Sequence, residues 1–214
     1  MAFDRRLLWA EFLSFFVILP ILVAVLLPPG RMFTVLALST CLGIVLLHLT
    51  PGFQWRELLQ GRRRIPVKLI LGVGGATALV SWGILSVTEP AAIFALLRSN
   101  PALWLTIMLL YPLVSALPQE VVFRPLFFRR YESILPHKPV ALTLNAALFS
   151  LAHLLYWNWA VALMTFGGGI VFAWAYEVRR SFPLAVILHS VAGNVLFTFG
   201  MGMFFYSGNV VRPF

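Results

Sequence analysis

The chain has 214 residues, 61% of them hydrophobic and 11% charged, with a formal net charge of +9 at pH 7. A soluble domain is about half apolar and about a quarter charged, and a soluble fold of this size cannot hide so much apolar surface. The positive charge falls between apolar runs rather than on one basic face, which argues against a nucleic-acid partner and fits membrane loops.

A helix needs ~20 apolar residues to cross the hydrocarbon core. Seven runs qualify as candidates. The first, 7–27, should kink at Pro20. Arg5 and Arg6 precede it as in a signal peptide, but its length and the following Pro28-Pro29-Gly30 read as a helix and a turn. The second is 32–50, and the third is 66–87, where Gly72, Gly74, Gly75 and Ala76 predict close helix packing. The fourth is 103–123. The fifth, 141–157, and the sixth, 160–178, should form a hairpin through a tight connection, and Gly167-Gly168-Gly169 again predicts close packing. The seventh is 183–206. Cys41 has no partner for an internal disulfide and reads as a small lipid-facing or packing residue. The fold class expected is an all-α integral membrane protein, a polytopic helical bundle of about seven transmembrane helices. It is read as one membrane domain over 1–214, with its chemistry in 103–206.

With a cytoplasmic N-terminus, the inner side receives Arg5, Arg6, Arg56, Arg62, Arg63, Arg64, Lys68, Arg124, Arg129, Arg130, Lys138, Arg179 and Arg180. Only Arg31, Arg98 and Arg212 fall outside, a split of 13 to 3 that supports both the helix count and the orientation. The Arg62-Arg63-Arg64 cluster suits anionic headgroups as well as orientation.

A charge at the bilayer centre costs at least ~2.5–3.5 kcal/mol, so each one needs compensation. Glu11 and His48 sit near predicted helix ends and can snorkel, and Glu177 lies beside Arg179 and Arg180. Glu120 and Arg124 are four apart on one helix face, where an intramembrane salt bridge is the simple reading. His153 in the fifth run and His189 in the seventh, the latter followed by Asn194, add two imidazoles and an amide from other helices. A carboxylate and a neutral imidazole sharing one water make a general-base pair for hydrolysis. An amide or a second imidazole can then stabilise the oxyanion. No serine, cysteine or aspartate has the setting of a covalent nucleophile. By counting along the helices, Glu120 falls near the inner end, His153 in the outer half and His189 in the inner half, levels that agree poorly.

The set Glu120-x-x-x-Arg124, Phe149-x-x-x-His153, and His189 with a following Asn194 resembles the CPBP family of intramembrane endopeptidases, which includes the CAAX prenyl endopeptidases and the Abi proteins. The resemblance spans residues 118–194. It implies a helical bundle with a water-filled cavity open to the cytoplasm, in a bacterial inner membrane, acting on a membrane-associated or lipidated peptide. It also implies a Glu and the first His activating water, with the later His and Asn forming an oxyanion hole. On this chain the roles fall to Glu120 and His153 as the water-activating pair and to His189 and Asn194 as oxyanion donors, with no cofactor.

Two positions depart from the family pattern. Gln119 stands where the first of two glutamates is usual, and a glutamine cannot take a proton at neutral pH. Asn194 is five residues after His189 instead of four, a divergence of ~140° on a regular helix unless a bulge at Gly193 corrects it. Three other readings remain: zinc held by Glu120, His153 and His189, a catalytically silent relative with an immunity or partner-binding role, and a proton-coupled transporter, the last without the paired repeats transporters often show.

Overall fold

The computed structural model describes residues 4–62, 65–210 and 212–213. Arg63 and Arg64 of the arginine cluster lie outside the described residues. Seven apolar helices carry the fold: α1 (Arg5–Leu26), α2 (Met32–His48), α3 (Val67–Thr88), α4 (Pro101–Arg130), α5 (Lys138–Ala152), α6 (Trp159–Glu177) and α7 (Phe182–Phe199). Six spans are long and apolar enough to cross a membrane, α5 counting with the turn that continues it to Tyr156 (19 residues), while α2 stands alone at 17 residues. The polytopic all-helical fold is as expected.

Prolines explain where the helices widen. A proline removes one i→i−4 hydrogen bond, and an i→i+5 turn gives the freed carbonyl another donor. Such wide turns occupy Ser14–Ile18 just before Pro20, Pro112–Ala116 before Pro118, and Val122–Arg130 around Pro125. At Pro20 the expected kink therefore takes the form of a wide turn.

The largest difference from the sequence reading is α4. It does not stop at residue 123 but runs on to Arg130, 30 residues in all. That exceeds the ~20 residues a helix needs to cross the hydrocarbon core. The extension looks like a loop because it holds Arg124, Pro125, Arg129 and Arg130. It stays helical because its charges find partners. Arg130 pairs with Glu11, and its Nη1 donates to the Leu46 carbonyl at 2.9 Å. The Tyr131 hydroxyl donates to Glu11 Oε1 at 2.6 Å, and Arg129 Nε lies 3.1 Å from Glu57 Oε2. Glu11 thus anchors the end of α4 instead of snorkelling to the interface. Arg124, counted above among the loop charges, is fully buried inside the bundle.

Two other helices end early. α5 stops at Ala152, so His153 caps its end instead of sitting within it. α7 stops at Phe199, where Gly200 takes φ 107° and closes the helix. Asn158 opens α6 by accepting from the Ala160 and Val161 backbone, which completes the α5–α6 hairpin.

Of the glycines expected to bring helices together, Gly74 and Gly169 do so. A Cβ on Gly169 would lie 2.9 Å from the Ala146 Cα of α5, and one on Gly74 3.3 Å from Val191 of α7. Gly72, Gly75 and Gly167 meet open space.

Contacts show that the helices alternate in direction. Arg62, Arg129, Arg130, Lys138, Arg179 and Arg180 gather at one end of the bundle, tied by pairs such as Lys138–Glu177 at 3.3 Å. The other end holds Arg212, whose Nη1 donates to the Val25 carbonyl at 2.9 Å. A core of aromatic rings, including Phe12, Phe16, Phe123, Phe127 and Tyr131, locks α1 against α4.

Candidate active site

Extending α4 resolves the mismatch of levels. Glu120 lies ten residues before Arg130, well inside the helix instead of at its end. That depth meets His189 of α7. His189 Nδ1 lies 2.9 Å from Glu120 Oε1, with the carboxylate 0% exposed and the imidazole 5%. Arg124, one turn on from Glu120, donates from Nε to Oε2 at 2.9 Å and from Nη2 to Oε1 at 3.3 Å. Both carboxylate oxygens are therefore engaged.

The arginine is held in turn. Its Nη1 donates to the Asn145 side-chain oxygen of α5, and Asn145 Nδ2 donates to the Phe123 carbonyl at 2.7 Å. The guanidinium lies over Phe149, 5.2 Å from the ring centre, and over Phe172 at 5.9 Å. A buried charge needs this many partners to persist.

Two aromatic rings fix His189. Phe172 stacks on it at 4.8 Å with the planes 12° apart, and Phe149 meets it edge-on at 5.5 Å. Phe149 also packs on His153 at 4.7 Å. The two imidazoles thus flank one phenyl ring. His153 Nδ1 is 2.8 Å from the Phe149 carbonyl. A carbonyl only accepts, so a proton sits on Nδ1, and in the neutral ring the lone pair is on Nε2. The carboxylate places the His189 proton on Nδ1 by the same logic. Among the described residues no group of three or more His, Cys, Asp or Glu side chains is placed to hold a metal ion.

The two amides of the sequence reading lie beside this chain of bonds. Gln119 donates to Ser115 Oγ at 2.9 Å, and Asn194 donates to the Met108 carbonyl at 3.1 Å. Each has a buried side-chain oxygen without a protein donor, Oε1 of Gln119 and Oδ1 of Asn194. An unpaired buried acceptor costs about 1–3 kcal/mol, and both suit the N–H or O–H of a small polar guest.

The bulge that would turn Asn194 toward His189 is not formed, and α7 runs through Gly193 as a regular helix. The Tyr111 ring fills the place of the missing side chain. A Cβ on Gly193 would lie 2.0 Å from Tyr111 Cε1 and 2.6 Å from its hydroxyl, and the ring meets His189 edge-on at 6.0 Å. Gly193→Ala should therefore cost about 1–3 kcal/mol through overpacking. In a thermal-unfolding double-mutant cycle with Tyr111→Ala, the two losses should not add.

Sequence reading missed Asn145 and Tyr111. Asn145 had a signal: it is the lone amide of the fifth apolar run, four residues before Phe149 and eight before His153. Tyr111 had none, since only the fold brings it to Gly193.

Residues 100–195 match a family model described as Rce1-like, a Type II CAAX prenyl endopeptidase Rce1-like domain. The chain carries an Rce1-like domain. It holds every residue of the site, from Tyr111 to Asn194, and it agrees with the CPBP resemblance. Neither a curated protein nor a solved structure matches the chain. The Rce1-like domain and the apolar helices around it indicate an integral membrane protein and support a CAAX-type intramembrane endopeptidase in general.

Proposed function

We propose that the chain hydrolyses a peptide bond of a membrane-associated or lipidated peptide, by direct attack of water and without a bound metal. The observation that carries this reading is the buried chain Arg124–Glu120–His189 beside a second imidazole across Phe149, all within the Rce1-like segment.

Glu120 and His153 form the water-activating pair. His153 presents its Nε2 lone pair to the water. Arg124 holds Glu120 Oε2 closely but Oε1 only at 3.3 Å, so Oε1 depends on His189. As water attacks the scissile carbonyl, the His189 Nδ1–H shifts from Oε1 to the developing oxyanion within the ring plane that Phe172 stacks on. Oε1 takes the proton from the water, and that proton passes to the departing amine as the C–N bond breaks. The Tyr111 hydroxyl beside His189 is a second oxyanion donor, and Asn194, bonded to the Met108 carbonyl, would join only if a bulge at Gly193 turned it toward His189. Gln119 is a polar helper whose free oxygen accepts a hydrogen bond from the water. In this reading the arginine-rich end faces the cytoplasm of a bacterial inner membrane, and substrate approaches from that side.

One observation favours a second reading, a silent relative that binds a membrane partner. Gln119 replaces a usual glutamate, and Glu120 is fully engaged. Purified protein in lipid nanodiscs, incubated with a farnesylated peptide, separates the two by mass spectrometry of the products. A cleaved peptide that disappears with Glu120→Gln supports the peptidase. Bound but intact peptide supports the silent relative.

A further inference from the structure

We infer that the arginine-rich end of the bundle holds a binding pocket for a phosphate-bearing anion, of the kind an anionic phospholipid headgroup presents. The inference is independent of the peptidase reading.

A cavity of about 490 Å³ opens between the turn after the Trp55–Leu59 segment and the link from α6 to α7. Gln60, Gly61, Arg62, Arg179, Arg180 and Ser181 line it, and Leu59 and Leu184 supply its apolar walls. Among the described residues the lining has three guanidinium groups and no carboxylate. The neighbouring acid, Glu177, is shared: its Oε1 is 3.3 Å from Lys138 Nζ and 3.7 Å from Arg180 Nη1. One carboxylate outside the lining is thus shared between Lys138 and the lining's Arg180, while Arg179 lies over the Trp174 ring at 5.5 Å.

Positive charge at this end is expected for orientation alone. Orientation, however, requires neither a cavity nor backbone strain, and both are present. Gly61 has φ +75°, and a Cβ there would lie 2.6 Å from the Ser181 Cβ and 3.0 Å from the Arg180 carbonyl oxygen. Arg180 itself has φ 53°, a left-handed conformation that a non-glycine residue keeps only when its surroundings hold it there. Two left-handed residues from separate segments thus meet back to back and splay their neighbouring arginines around one space. Ser181 caps α7, accepting from Leu184 N at 3.2 Å, so the positive end of an 18-residue helix adds to the field. The cavity lies where α6 ends and α7 begins, two spans long and apolar enough to cross a membrane. Guanidinium groups bind phosphate bidentately, and the leucine walls suit the glycerol and first methylenes of a lipid.

The test is thermal unfolding of the purified full chain in neutral detergent. Phosphatidylglycerol, phosphatidylcholine and inorganic phosphate are titrated separately against wild type and Arg62→Gln/Arg179→Gln. A saturable rise in Tm with phosphatidylglycerol but not phosphatidylcholine, at least halved in the double variant, supports a lipid headgroup site. The same rise with inorganic phosphate supports the pocket and assigns it to a free phosphate. A rise that is equal in both proteins, equal with phosphatidylcholine, or absent with every anion overturns the inference. If the double variant does not fold, the single Arg62→Gln and wild type are compared by native mass spectrometry in a mixture of the two lipids. Preferential retention of phosphatidylglycerol that falls in the variant supports the pocket, and equal retention overturns it.

Discussion

Glu120→Ala is expected to lower stability by about 3–5 kcal/mol, the cost of leaving a buried charge without its partner. Arg124 is 0% exposed and would keep only the Asn145 oxygen, the Phe123 carbonyl and two ring faces. His189 would lose its Nδ1 acceptor in the same step. Glu120→Gln keeps the shape and one acceptor oxygen and removes the charge, so it should lose less stability but equally abolish cleavage. Thermal unfolding in detergent, run beside the peptide assay, reads both. The companion change Asn145→Leu tests the same network from α5. It removes the acceptor of Arg124 Nη1 and the donor to the Phe123 carbonyl together, and should approach the stability loss of Glu120→Ala.

His153→Ala should give the opposite split. The residue caps the end of α5 and makes one hydrogen bond, to its own helix. Its loss should cost about 1 kcal/mol of stability. As the imidazole that presents a lone pair to water, it should cost ~10²–10⁴-fold in cleavage rate. Unchanged KM with the whole loss in kcat is expected, because the group acts on the reacting water and not on the bound peptide. A stability loss as large as that of Glu120→Ala would instead make His153 a structural residue.

Hydropathy alone located seven helices, because a bilayer demands long apolar runs whatever the packing. It failed where packing pays for polarity. Arg124 to Arg130 looked like a loop, yet Glu11 and the Leu46 carbonyl, both far away in sequence, keep that stretch helical. The site was legible as a set of residue types, since Glu120, Arg124, His153 and His189 are conspicuous in apolar runs. The pairing of Glu120 with Arg124 followed from their spacing. That His189 and not His153 touches Glu120 did not follow, because it depends on the depth at which α4 crosses α7. Asn194 shows the same limit: its angle to His189 was predicted from helix geometry, but not the Tyr111 ring that occupies the Gly193 face.

The most direct test of the account places wild type and His153→Ala side by side in nanodiscs with a farnesylated peptide, following new termini by mass spectrometry. The account predicts cleavage by wild type, a loss of ~10²–10⁴-fold in the variant, and nearly equal melting temperatures. Undiminished cleavage by His153→Ala would contradict it, as would a folded wild type that binds the peptide and leaves it whole.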